Sequence, residues 1–107
     1  MDVAEALKAR SWAAPVDLVL EVRDATLPAN AGRFRLTADP SGATYEPADA
    51  PADLALDVRD LASCYLGGTP VRRLARAGLV EERTPGAARL LDAALETEYL
   101  PFTGEDY

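Results

Sequence analysis

The sequence predicts an α+β fold, a mainly antiparallel sheet of about four to five strands with helices packed on one face. Three observations carry that prediction. Short runs between Val16 and Asp57 alternate apolar and polar residues, as strands do. Near Asp57 the apolar period changes to about 3.6 residues, the period of a helix. The helical segments then follow the strands as a group, instead of separating them one by one.

Asp2 stands as an N-cap ahead of "VAEALKAR", whose Val3, Ala6, Leu7 and Arg10 share a face, so the chain opens on a short helix. After "SWAAP" the run "VDLVLEVRD" sets Val16, Leu18, Leu20 and Val22 on one face and Asp17, Val19, Glu21 and Arg23 on the other. That predicts a strand over 16–22. "ATLPANAG" is turn chemistry, and "RFRLTAD" alternates again through Phe34 and Leu36. A second strand over 33–37 therefore pairs with the first as an antiparallel hairpin, across a loop of about seven to eight residues. "PSG" turns tightly into a third strand over 44–46, and "ADLALDV" supplies a fourth over 54–57 with Leu54 and Leu56 inward.

Asp57 caps the next helix, with Asp60 near its positive end and Leu61, Ala62 and Tyr65 on its inner face. Gly67 and Gly68 stop it, and Thr69-Pro70 starts another, because proline at the first helical position sacrifices no hydrogen bond. That helix runs to Gly78 and buries Val71, Leu74 and Ala75. "LVEER" is short and extended. Thr84-Pro85 repeats the cap signal, and the last helix buries Ala87, Leu90, Leu91, Ala94 and Leu95. With 107 residues, one domain over 1–107 is the expected organisation.

Composition narrows the chemistry. The net charge of −7 opposes nucleic-acid phosphates and anionic membrane surfaces, so neither is an expected partner. No histidine is present, which removes the commonest general base and metal ligand along with histidine-dependent nucleophile triads. The single cysteine, Cys64, forms no internal disulfide or multi-cysteine metal site and suits a reducing compartment. "MDVAEALKARSW" has no basic stretch followed by an apolar one, so the expected location is the cytoplasm.

Candidate residues compete with plainer readings. Arg72 and Arg76, one helical turn apart and with Arg73 on an outer face, have the spacing to grip an anion, but a solvated face is the preferred reading. Cys64, near Arg59 and Arg72, reads as a structural residue in preference to a reactive thiolate. Trp12, Phe34, Tyr45, Tyr65, Tyr99 and Phe102 would line an apolar cavity in a lipid carrier; ordinary packing is preferred. The end, "TEYLPFTGEDY", is unusually rich in aromatic residues for a terminus.

"DLASCYLGGTPVRRLARAG" carries a more specific signal. With Asn30 and Gly32 before Phe34, "TPGAARLLDAAL", and "PFTGED" ahead of a terminal aromatic, it resembles the C-terminal sterol-carrier-fold domain of the enhanced intracellular survival (Eis) family of GNAT-type N-acetyltransferases. The resemblance implies a sterol-carrier-like fold and, as partners on the same polypeptide, two N-terminal acetyltransferase lobes, the first of which binds acetyl-CoA. This domain itself would hold no cofactor and would be inactive alone. The resemblance also implies that the α-carboxylate of Tyr107 acts as a base for a small amine substrate, an aminoglycoside or a lysine side chain. Tyr99 and Phe102 would then anchor a docked tail over 97–107. The tail departs from the family pattern, which often has a cysteine and a bulkier aromatic where Phe102 and Thr103 stand here. The alternatives are a stand-alone lipid-binding module of the same fold and a structural domain that forms homo-oligomers.

Overall fold

A computed structural model describes residues 2–96, whose elements follow the predicted order closely. Asp2 caps helix α1 (Val3–Ala9) by accepting a bond from the Glu5 amide at 3.1 Å, and Val3 and Leu7 are buried. Strand β1 (Val16–Arg23) and strand β2 (Gly32–Asp39) form the expected antiparallel hairpin, and a 3₁₀ turn at Pro28–Asn30 occupies their loop. Strand β3 (Gly42–Pro47) continues the meander.

Strand β4 (Leu54–Asp57) lies beside β1 and parallel to it, so the antiparallel strand β5 (Val80–Glu82) completes a mixed sheet in the order β3-β2-β1-β4-β5. The sheet is still mainly antiparallel. No α-helix separates the parallel pair: the chain reaches β4 through the β2–β3 hairpin and the segment that follows it. Leu18, Leu36 and Tyr45 fall in one cross-strand row, and Val22, Leu56 and Val80 in another, all buried in a single core. The opposite face is charged, with Arg35 gripping Asp17 through two bonds of 2.8 and 2.7 Å and Arg83 bridging Glu21 and Glu81.

Helix α2 (Val58–Tyr65) starts where the Asp57 carboxylate accepts from the Arg59 amide at 2.9 Å. It ends at Gly67, whose φ of 80° lets the Gly67 and Gly68 amides turn back onto the Cys64 and Ser63 carbonyls. Its buried residues are Leu61 and Cys64; Ala62 and Tyr65 are only half-buried, which moves the expected inner face by part of a turn. Helix α3 (Val71–Arg76) begins one residue later than expected, with Pro70 at the cap and no local side chain serving it. Helix α4 (Ala87–Leu95) also departs from its expected start. Gly86 is the cap, with φ of 89°, and Thr84 points its hydroxyl at Asp53 (2.6 Å). Ala88 replaces Leu90 in the buried set, and Leu90 is 52% exposed. Small side chains at Ala87, Ala88 and Ala94 face the core, which allows close packing of α4. No helix among the described residues is long and apolar enough to cross a membrane.

Candidate functional site

Three helix ends meet at Arg10, the residue that terminates α1. Its guanidinium donates to the carbonyl of Tyr65 at 3.2 Å and to that of Leu95 at 2.9 Å, the last residues of α2 and α4, while Nε bonds the Ser11 carbonyl at 2.8 Å. The same planar group lies 5.2 Å from the Trp12 ring centroid and 5.4 Å from that of Tyr65. Carbonyls at helix C-termini carry partial negative charge, so a cation there is favoured twice over. Burial lowers the Arg10 pKa and Tyr65 opposes that shift, but a guanidinium stays charged at any ordinary pH. The arrangement fixes the point from which the chain leaves α4.

Beside that point a groove of about 420 Å³ is lined by Tyr65, Leu66, Pro70, Leu95 and Glu96, among others. Leu66 is 79% exposed at its edge, a large apolar side chain without cover among the described residues. Asp92 forms part of the wall and is fully engaged. Its two oxygens accept from the Val71 and Arg72 amides at 2.6 and 3.1 Å, and Arg72 adds a side-chain bond of 2.9 Å. A second groove, about 660 Å³, adjoins it at Arg72 and is bordered by Arg76, Glu82, Gly86, Ala88 and Arg89.

The remaining candidates separate into structural roles. Cys64 is buried, and burial, then Asp92 and Asp60, pushes its thiol up to about 11, which keeps it protonated and unreactive. The aromatic residues in the described part of the chain form two groups in place of one cavity lining: Trp12 and Tyr65 flank Arg10, while Phe34 stacks on Tyr45 with centroids 4.8 Å apart. Trp12 also donates Nε1–H to the Leu7 carbonyl at 3.0 Å. A pocket of about 410 Å³ at Leu27, Asn30, Phe34 and Tyr45 is mainly apolar, and the buried Tyr45 hydroxyl has no hydrogen-bond partner among the described residues. Tyr99, Phe102 and Tyr107, the expected tail anchors and base, lie outside the described residues.

Sequence reasoning missed Arg10, Asp53 and Asp92, since each acts on backbone far away in the chain. Their only local signal was a charged residue at a helix end, at a strand start or on a helix face.

Comparison with known proteins gives this geometry a setting. Residues 3–104 match a family model described as "Sterol carrier protein domain". An uncharacterized N-acetyltransferase of Streptomyces avermitilis is 47% identical over 102 residues, covering 95% of this chain and 25% of that protein. The N-acetyltransferase Eis of Mycobacterium tuberculosis is 36% identical over 101 residues, covering 92% of this chain and 24% of that protein. Among solved structures, Eis1 from Mycobacterium abscessus superimposes with a TM-score of 0.79 at 40% identity, covering 99% of this chain and 26% of the other. A GCN5-related N-acetyltransferase from Kribbella flavida gives 0.80 at 35% identity, covering 89% and 25%. The chain thus spans about a quarter of the length of the curated relatives it matches. With its mixed five-stranded sheet, its helices and this match over nearly its whole length, the chain belongs to the sterol carrier protein domain family, in the form found within Eis-like N-acetyltransferases.

Proposed function

We propose that this chain serves as the C-terminal domain of an Eis-like, acetyl-CoA-dependent N-acetyltransferase acting on amines, aminoglycosides or lysine side chains, and that it supplies the catalytic base. The observation that carries the proposal is the similarity over nearly the whole chain to one quarter of named N-acetyltransferases. In this reading acetyl-CoA binds to the N-terminal lobes. The α-carboxylate of Tyr107 takes the proton that the amine loses as it is acetylated. An α-carboxyl group starts from a pKa of roughly 3.3 to 3.7, and burial against apolar rings raises it toward useful basicity. The negative charge of the chain favours the approach of a polycationic substrate.

The Arg10 junction supports the positioning role, because a terminus can place a reacting atom only if its root is fixed. Tyr99 and Phe102 are then the anchors between that root and the carboxylate. The test is a single alanine appended after Tyr107 in the long enzyme, which moves the carboxylate by one residue. Turnover is expected to fall on the order of 100-fold, the cost of small misplacements in a reacting pair, with acetyl-CoA affinity unchanged. Unchanged turnover at neutral and mildly alkaline pH would remove Tyr107 from the mechanism.

A lipid-binding reading has one observation in its favour, the apolar pocket at Phe34 and the unpartnered Tyr45 hydroxyl. Native mass spectrometry separates the two, since a stoichiometric lipid on the purified chain would favour that reading.

A further inference from the structure

We propose that residues 97–107 dock back along the groove between α3 and α4, with their apolar part beside Leu66 and their acidic end on Arg76 and Arg89. The path consists of the two adjoining grooves, which share Arg72 and form chemically different ends. The end beside the last turn of α4 offers Leu66, Pro70 and Leu95; the end beside the first turn of α4 offers Arg76 and Arg89. Arg72 is already paired with Asp92, whereas Arg76 and Arg89 have no ion-pair partner among the described residues. Glu82 also lines that end, but its carboxylate accepts from the Ala88 amide at 2.9 Å and is committed to the start of α4.

The segment carries the complementary chemistry in the matching order. It leaves α4 at Glu96, on the apolar end of the groove, and begins "TEYLPF" with Tyr99, Leu100 and Phe102. It finishes "TGEDY", where Glu105, Asp106 and the terminal carboxylate follow one another and no cationic residue balances them. Reach is ample. An extended residue spans about 3.5 Å, so the eleven residues cover close to 40 Å, against about 14 Å for the nine residues of α4. Carboxylates bind guanidinium groups in a paired, directional geometry, and the exposed setting keeps each pair weak and sensitive to salt. Docking is therefore reversible.

This goes beyond the proposed function and does not rest on it.

Paramagnetic relaxation in the complete chain tests the docking. Thr103→Cys takes a nitroxide label, while buried Cys64 does not react. At low salt the amide signals of Ala75, Arg76, Ala88 and Arg89 are expected to lose most of their intensity. The double variant R76E/R89E is expected to restore them, with the remaining amide spectrum unchanged as proof of folding. Undiminished signals at these positions overturn the proposal, as does broadening that survives the charge reversal. Mixing labelled chain with unlabelled, isotope-enriched chain is the last arm: broadening carried between chains would mean that a second copy occupies the groove, and would also overturn it. These results leave turnover of the long enzyme, the test of the proposed function, independent.

Discussion

Asn30 is buried in the β1–β2 loop, where its Oδ1 accepts from the Val3 amide at 3.1 Å and its amide nitrogen donates to Asp24 at 2.8 Å. Asn30→Ala would strand the Val3 amide inside the core, which costs about 1–3 kcal/mol for a buried donor left unmade. A urea titration followed through Trp12 fluorescence is expected to show that loss without a change of slope. Asp24 also accepts from the Thr26 and Leu27 amides, at 2.9 and 3.0 Å. The Asn30 bond first, and then these amides, hold its carboxyl below its ordinary 3.8. A depressed carboxyl stabilises the fold above the unfolded pKa and loses that contribution as pH falls through the lower, folded value. The urea midpoint should therefore drop on acidification below 3.8, and less steeply in Asp24→Asn; parallel profiles for the two proteins would refute this role. Cys64 shifts the other way, up to about 11 from 9.0, so below pH 9.0 its thiolate is roughly 100-fold scarcer than in the unfolded chain. A disulfide reagent should label it in urea and leave it nearly untouched in the native protein.

Helix α3 shows what an element owes to its neighbours. With six residues and no side chain of its own at the cap, it is too short to persist alone. Asp92 on α4 supplies the missing acceptors for the Val71 and Arg72 amides and neutralises Arg72 as well. Asp92→Ala is expected to cost about 1–2 kcal/mol, as other cap deletions do, and to raise amide exchange at the start of α3 before it affects the sheet. Nothing near Thr69-Pro70 announces this cap, because the acceptor arrives from 20 residues away. Legibility follows the same rule elsewhere. Asp2, Asp57, Gly67 and Gly78 act within their own turns, and the sequence shows where those helices start or stop. Ala62, Tyr65 and Leu90 lie part of a turn away from the inward positions expected of them, since a short helix with small apolar residues fits more than one inward face.

At the scale of the whole molecule, alternation reveals four strands of the sheet and leaves "LVEER", the site of β5, as a short extended run; nor does it show that β4 lies parallel beside β1, a choice made by the chain returning after the β2–β3 hairpin. Asp53 secures that return: its backbone amide and carboxylate bond the Val19 carbonyl and amide, both at 2.7 Å, and its carbonyl accepts from Arg83 and Thr84. The helical layer has an equivalent fastening in Arg10, whose partners lie 55 and 85 residues further along the chain. Closing so long a loop carries an entropic cost that several simultaneous contacts must offset, and Arg10 makes hydrogen bonds and two ring contacts with one planar group. Arg10→Ala should therefore destabilise the domain by roughly 2–3 kcal/mol, leaving the C-terminal carbonyls of α2 and α4 without a cation and the Trp12 ring less covered. Arg10→Lys separates charge from geometry. An ammonium keeps the positive charge, yet it lacks the flat, forked donor set that reaches two helix ends while stacking between rings. It is expected to recover less than half of the lost stability in urea unfolding, and full recovery would reduce the junction to simple charge. The same variant in the long enzyme links this fastening to function. If the root of the tail positions Tyr107, Arg10→Lys lowers turnover at temperatures where the domain is still folded by amide exchange, while acetyl-CoA affinity holds.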